Sequence, residues 1–335
     1  MCHVRHPWDD IHSGRAGTGT KLPLHRKGMV IKMTGLWTLT KRNTRLYFKD
    51  KGMFFTSLIT PIILLVLYAT FLSNVYETSF RSALEEAGAT VPDKLIGGTV
   101  GGELISSLLA VCCVTVAFCS NLLMIQDKTS GARRDLTMTP VKSGVLAMSY
   151  SLSTFLSTLL ICLTAAGISF AYLALVGWYL TVADVLMLLL DVVLLVLFGT
   201  ALASVINCLL STNGQASAVG TIVSAGYGFI CGAYMPISNF SEGLQKVCSF
   251  LPGTYGTSLL RNHALRGVFE EMDTQGFPKE VVEGIRDSVD CNLYFFGDKV
   301  EIPAMYLVLI ATIVVAFGAY VLMGMLAKRR NSNGK

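Results

Sequence analysis

Six long stretches of this chain are apolar almost throughout, at 53–73, 102–125, 145–176, 182–210, 214–236 and 302–327. Each is near the ~20 residues that a helix needs to cross a ~30 Å hydrocarbon core. The pattern predicts an all-α integral membrane protein with six transmembrane helices. Pro61 falls inside the first span, where neighbours must satisfy the freed carbonyl. Trp178 and Tyr179 close the third, as interfacial aromatics do. Ahead of the first span, positions 34–51 form a basic amphipathic helix. Leu36, Trp37, Leu39, Leu46, Tyr47 and Phe48 can face lipid, and Lys41, Arg42, Arg45, Lys49 and Lys51 can face water, as in a helix lying in the interface. Residues 1–32 are polar, basic and Gly-rich. They read as a disordered tail or as a misassigned start, with a single six-helix transmembrane domain over 33–335.

The fifth stretch carries small residues at steps of four: Ala216, Gly220, Ser224, Gly228 and Gly232. They share one helix face. In lipid, small residues that let backbones approach closely hold helices together, so this helix is expected to press against another. The pattern breaks at Pro236. The sequence PISNFSEGLQKVCSFLPGTYGTSLLRN follows, amphipathic and interrupted by Pro252 and Gly253. It predicts short helices that lie in the outer face or re-enter the membrane. Residues 269–298 are acidic, with a short helix expected at 278–287.

Composition agrees: 52% of residues are hydrophobic and 15% charged, against about 25% charged in soluble domains. The net charge of +5 matters less than its distribution. With the N-terminus taken as cytoplasmic, 19 Lys and Arg lie on that side and 8 on the other. This excess places both termini inside a plasma membrane and leaves outer loops at 74–101 and 237–301. The basic charge is thereby read as topology rather than as a nucleic-acid surface.

Catalytic patterns are missing from the sequence: there is no GxxxxGK[ST], GxSxG or HExxH, and a non-enzyme is expected. Asp191 lies within the fourth span, where a carboxylate is a functional candidate by default. It reads either as part of a substrate or cation path or as a residue satisfied by a neighbouring helix. Asp184 reads as the cap of that helix, and Glu103 as a rim residue. Cys248 and Cys291 are the outer-loop cysteines. They could form a disulfide outside the cell, or Cys248 could be buried in the interfacial helix.

The inner loop QDKTSGARRDLTMTPVKSG has Asp127 and Lys128 at the membrane, Gly131 as a turn, Arg133, Arg134 and Asp135 in a short polar helix, and Pro140 as a stop. It suits docking of a cytoplasmic protein, or simply a basic topology signal. Three segments together resemble the ABC-2 type exporter permeases: this loop, the run through Gly232, Pro236, Pro252, Tyr255 and Arg261, and the basic amphipathic helix. The resemblance covers about residues 33–330. It implies a type V exporter-like subunit that pairs with a second copy or a homologous permease and with separately encoded ATPase subunits, which bind the ATP and Mg. It further implies ATPase coupling at Asp127–Asp135 and Pro140, and an outer gate at Pro236, Pro252, Tyr255 and Arg261. The cargo would be a hydrophobic or amphipathic small molecule, peptide or lipid, or alternatively a polysaccharide or glycolipid. An ion-coupled transporter using Asp191 is the reading from outside the family.

Overall fold

The computed structural model describes residues 24–68, 70, 74, 77–78, 81, 92–139 and 141–333, and only the backbone of 24–34, Thr60 and 327–333. Residues 1–23, with most of the expected tail, and Pro140 lie outside the described residues. The helices are α1 (Leu24–Lys49), α2 (Lys51–Leu67), α3 (Asp93–Asn121), α4 (Leu123–Thr129), α5 (Ala132–Met138), α6 (Ser143–Val176), α7 (Val182–Leu209) and α8 (Asn213–Ile230), continuing with α9 (Glu242–Ser249), α10 (Pro252–Thr274), α11 (Lys279–Ser288) and α12 (Ile302–Asn333). A short hairpin, β1 (Tyr294–Phe295) with β2 (Asp298–Lys299), precedes α12.

Among the described residues, four helices are long and apolar enough to cross a membrane: Asp93–Thr129, Ser143–Val176, Val182–Leu209 and Ile302–Leu326. The pair α1–α2, bent by 74° at Asp50, makes five if counted as one span. Six were expected. The shortfall is α8, which has 18 residues and a polar first turn capped by the Thr212 hydroxyl. It ends at Ile230, because Gly232 adopts a left-handed φ of +74°. The stretch 214–236 is therefore a helix followed by a turn.

The core is organised around α3, which is buried along nearly its whole length and packs on α2, α6, α7, α8 and α10. It starts at Asp93, so residues 93–101 are helix and not outer loop as expected. Its glycines explain the close packing. A Cβ on Gly97 or Gly98 would overlap Val176 or Tyr179, and one on Gly102 would overlap Leu265. Gly267 of α10 lies so close to the Tyr179 carbonyl that no Cβ fits. Gly267→Ala is therefore expected to destabilise by about 1–3 kcal/mol or more, the usual cost of overpacking. Gly220→Ala, in open space, is expected to be neutral or slightly stabilising, since alanine is the better helix former. Thermal unfolding of the two purified variants in detergent checks the contrast.

The amphipathic helix also differs from expectation. Leu39, Thr40, Asn43 and Tyr47 are buried against the bundle, with Asn43 Nδ2 3.3 Å from Ser149 Oγ and Thr44 Oγ1 3.0 Å from Ser153 Oγ. Asn43 and Thr44 thus find hydroxyl partners on α6, and the Tyr47 hydroxyl pairs with Ser57 of α2, so α1 docks on protein with Leu39 and Tyr47, which were expected to meet lipid. Trp37 and Leu46 remain exposed.

Helix α10 sits among α3, α7 and α12. Pro252 occupies its first turn, where the missing N–H costs nothing. Gly256 lies against Leu195, and Gly267 against Tyr179 within the α6–α7 connection. Thus α10 runs antiparallel to the first half of α7.

Candidate functional site

The inner loop is held by inward-turned charges and carries an exposed helix. Arg42 of α1 donates to Asp127 at 2.7 Å, and the Tyr150 hydroxyl of α6 donates to the same carboxylate oxygen at 2.6 Å. Lys128 Nζ donates to the carbonyls of Cys208 and Leu210 at 2.9 and 2.8 Å. It neutralises the negative end of α7, as a cation at a helix C-terminus does. Asp127 and Lys128 therefore turn inward and hold the loop. Gly131 turns the chain with φ +83°. Helix α5 then carries no buried residue: Arg133 is partly exposed, Arg134 and Asp135 are exposed, and Met138 projects with 73% of its surface open.

Between α2 and α8, with α3 as its floor, lies an open cavity of about 860 Å³. Its wall includes Ile59, Ile63 and Leu67 on one side and Ala216, Gly220, Ser224 and Phe229 on the other, with Cys119 in the floor, and no lining residue carries a charge. Three residues of the predicted stripe thus line this cavity. Gly228 instead packs on the Tyr234 ring. Gly232 lies past the helix end and leaves the stripe, because its left-handed turn points away from helical register.

Arg261 is the largest fully buried side chain among the described residues. Its guanidinium meets Glu103 of α3 at 2.8 Å and Asp290 of the insert at 3.2 Å. It also donates to the Gly232 carbonyl at 2.7 Å and to Ser107 Oγ at 3.1 Å. Asp290 in turn accepts from the Ile237 and Ser238 amides, which fixes the turn after Pro236. Burial pushes the Asp290 carboxyl above its ordinary range, while the Arg261 charge pulls it back. Glu103 is therefore no rim residue: it pairs with a cation that only the fold brings near. Tyr255 donates its hydroxyl to the Ser249 carbonyl at 2.5 Å and joins α10 to α9. Of the expected gate residues, Arg261 is thus tied through Asp290 to the turn after Pro236, whereas Pro252 and Tyr255 lie nearer the start of α10.

Asp191 is satisfied from two neighbouring helices. His263 Nδ1 of α10 lies 2.6 Å from one oxygen, and the Tyr306 hydroxyl of α12 donates to the other at 2.6 Å. It does not line the cavity. Asp184 forms a capping box with Thr181 and pairs with Arg266. Cys248 and Cys291 are both free and buried in the structure. Cys291 is held in the apolar cluster of Leu95, Leu265 and Phe269, where burial raises its thiol well above the ordinary range.

Sequence reasoning missed Arg42, Tyr150, Glu103, Asp290, His263 and Tyr306 as partners. Only Glu103 gave a local signal, as a charge inside an apolar run. No curated protein matches the chain significantly. The family model of the ABC-2 type transporter matches residues 34–264, from α1 into α10 and through the exposed inner loop, the cavity walls and Arg261. Its apolar helices and this match make the chain a multi-pass membrane subunit of an ABC transporter, and it belongs to the ABC-2 type transporter family.

Proposed function

We propose that the chain is the permease of an ATP-driven exporter, working with separately encoded ATPase subunits and a second permease, identical or homologous. The cargo is a hydrophobic or amphipathic small molecule, peptide or lipid. The uncharged cavity between α2 and α8 carries this reading. A charged solute would leave water for that wall without compensation, whereas an apolar one gains by the transfer. Among the lining residues only Tyr68, Phe229 and Tyr234 are aromatic, which favours this class over a glycan stacked on aromatic rings.

In the proposed cycle, ATP closes an ATPase dimer against α5. The push passes through Asp127 to α1 and α6, and the two permease halves rock. Both termini are cytoplasmic, in the plasma membrane. The α9–α10 segment is a re-entrant outer gate. Leu195 is thirteen residues past Val182, or roughly 20 Å along α7, and Gly256 reaches that depth.

The energy source tests the reading. Cells expressing the chain with its ATPase are loaded with hydrophobic fluorescent dyes and followed during efflux. Efflux is expected to stop on ATP depletion and to survive a protonophore that leaves ATP intact. The opposite pattern would favour an ion-coupled transporter. Gly220→Leu, which intrudes on the cavity, is expected to slow efflux severalfold while leaving ATPase association intact.

A further inference from the structure

A second apolar recess lies on the other flank of α2. Helices α2 and α6 both pack on α3 but hardly on each other. Between them runs a slot of about 280 Å³, lined by residues including Phe48, Phe54, Pro61, Leu108, Ala165 and Ile168. Its one hydroxyl, on Thr164, donates to the Leu160 carbonyl at 2.9 Å. A water in the slot would lack the two or more polar partners it needs. In a membrane the occupant that fits is hydrocarbon.

Basic residues neighbour the slot's end in sequence, on either side of Phe48 and just ahead of Phe54. Phe48 and Phe54, with ring centroids 5.7 Å apart, close it at the elbow between α1 and α2. Arg45, Lys49 and Lys51 are exposed around that elbow. Arg42 is engaged by Asp127. Asp50, the acid between the two lysines, caps α2 by accepting from the Met53 amide at 3.1 Å. Basic residues at a membrane surface attract anionic headgroups, and lysine stems reach along apolar surface to place their charge there. We propose that the slot seats one acyl chain of an anionic phospholipid whose phosphate rests on Lys49 and Lys51. Such a lipid would wedge α2 against α6 at the joint where α1 meets the membrane.

Native mass spectrometry of the delipidated full chain tests this with dioleoyl phosphatidylglycerol, dioleoyl phosphatidylcholine and glycerol phosphate as probes. The wild type is expected to retain phosphatidylglycerol at least about fivefold better than phosphatidylcholine, the effect of one basic residue near the surface. It is expected not to retain glycerol phosphate. Ala165→Phe, which fills the slot, is expected to abolish retention of both lipids. Lys49→Glu with Lys51→Glu is expected to remove the preference while sparing phosphatidylcholine. If Ala165→Phe fails to fold, Ile168→Trp on the exposed rim makes the same test. Equal retention of the two lipids by the wild type, or unchanged retention by the filled slot, overturns the proposal, as does binding of glycerol phosphate alone.

Discussion

Arg261→Ala is expected to cost about 3–5 kcal/mol of stability, the usual effect of removing one partner from a buried ion pair. The reason is the company Arg261 keeps. Glu103 and Asp290 both approach its guanidinium, and without it two carboxyl groups face each other in the interior. The Gly232 carbonyl and Ser107 also lose their donor. Three parts of the molecule come apart at that point: α3, the turn after α8, and the insert that supplies Asp290. Arg261→Lys is expected to recover only part of the loss, because a single ammonium cannot reproduce the planar fork. Combining Arg261→Met with Glu103→Gln and Asp290→Asn removes every charge, and is expected to be more stable than Arg261→Ala. Thermal unfolding of the four purified proteins in one detergent checks the order. A melting curve for Arg261→Ala that overlays the wild type would mean that the network contributes nothing.

Asp191→Ala carries the second large effect, expected at roughly 2–6 kcal/mol, since it orphans a His263 nitrogen and the Tyr306 hydroxyl and each unsatisfied buried group costs about 1–3 kcal/mol. The isosteric Asp191→Asn keeps an acceptor for Tyr306. It is expected to remain folded and to support ATP-driven efflux, because Asp191 joins α7, α10 and α12 and lies away from the cavity. A folded Asp191→Asn protein that has lost all transport would return Asp191 to the role of an ion-coupling carboxylate.

The elements legible in the sequence were those with one dominant cause. Helices α6, α7 and α12 begin and end close to where the apolar runs do, because lipid-facing residues make the run continuous and the Thr181 capping box fixes the start of α7. The start of α3 was hidden by its own glycines. Around Gly97, Gly98, Gly101 and Gly102 they read as a loop, yet they let α3 approach α6 and α10 closely. Helix α10 was hidden by Arg261, His263 and Arg266, which look like a surface and are each paired by the fold. The motif located Arg261. Its partners stand far away in sequence, and no local periodicity announces them. The same holds for Arg42 and Asp127. The inner motif marked the loop, and only the tertiary contact showed which of its charges turn inward to hold it and which stay free on α5.

The most direct measurement is an affinity purification of the tagged chain from its native host, with the co-purifying proteins identified and ATP hydrolysis assayed. Arg134→Glu with Asp135→Lys is run beside the wild type. Both positions are exposed on α5, a helix with no buried residue, so the reversal is expected to leave the fold intact. The expected result is an ATPase that accompanies the wild type and is lost, with its activity, from the double variant. A folded wild type that brings down no ATPase under several mild detergents would contradict the permease reading.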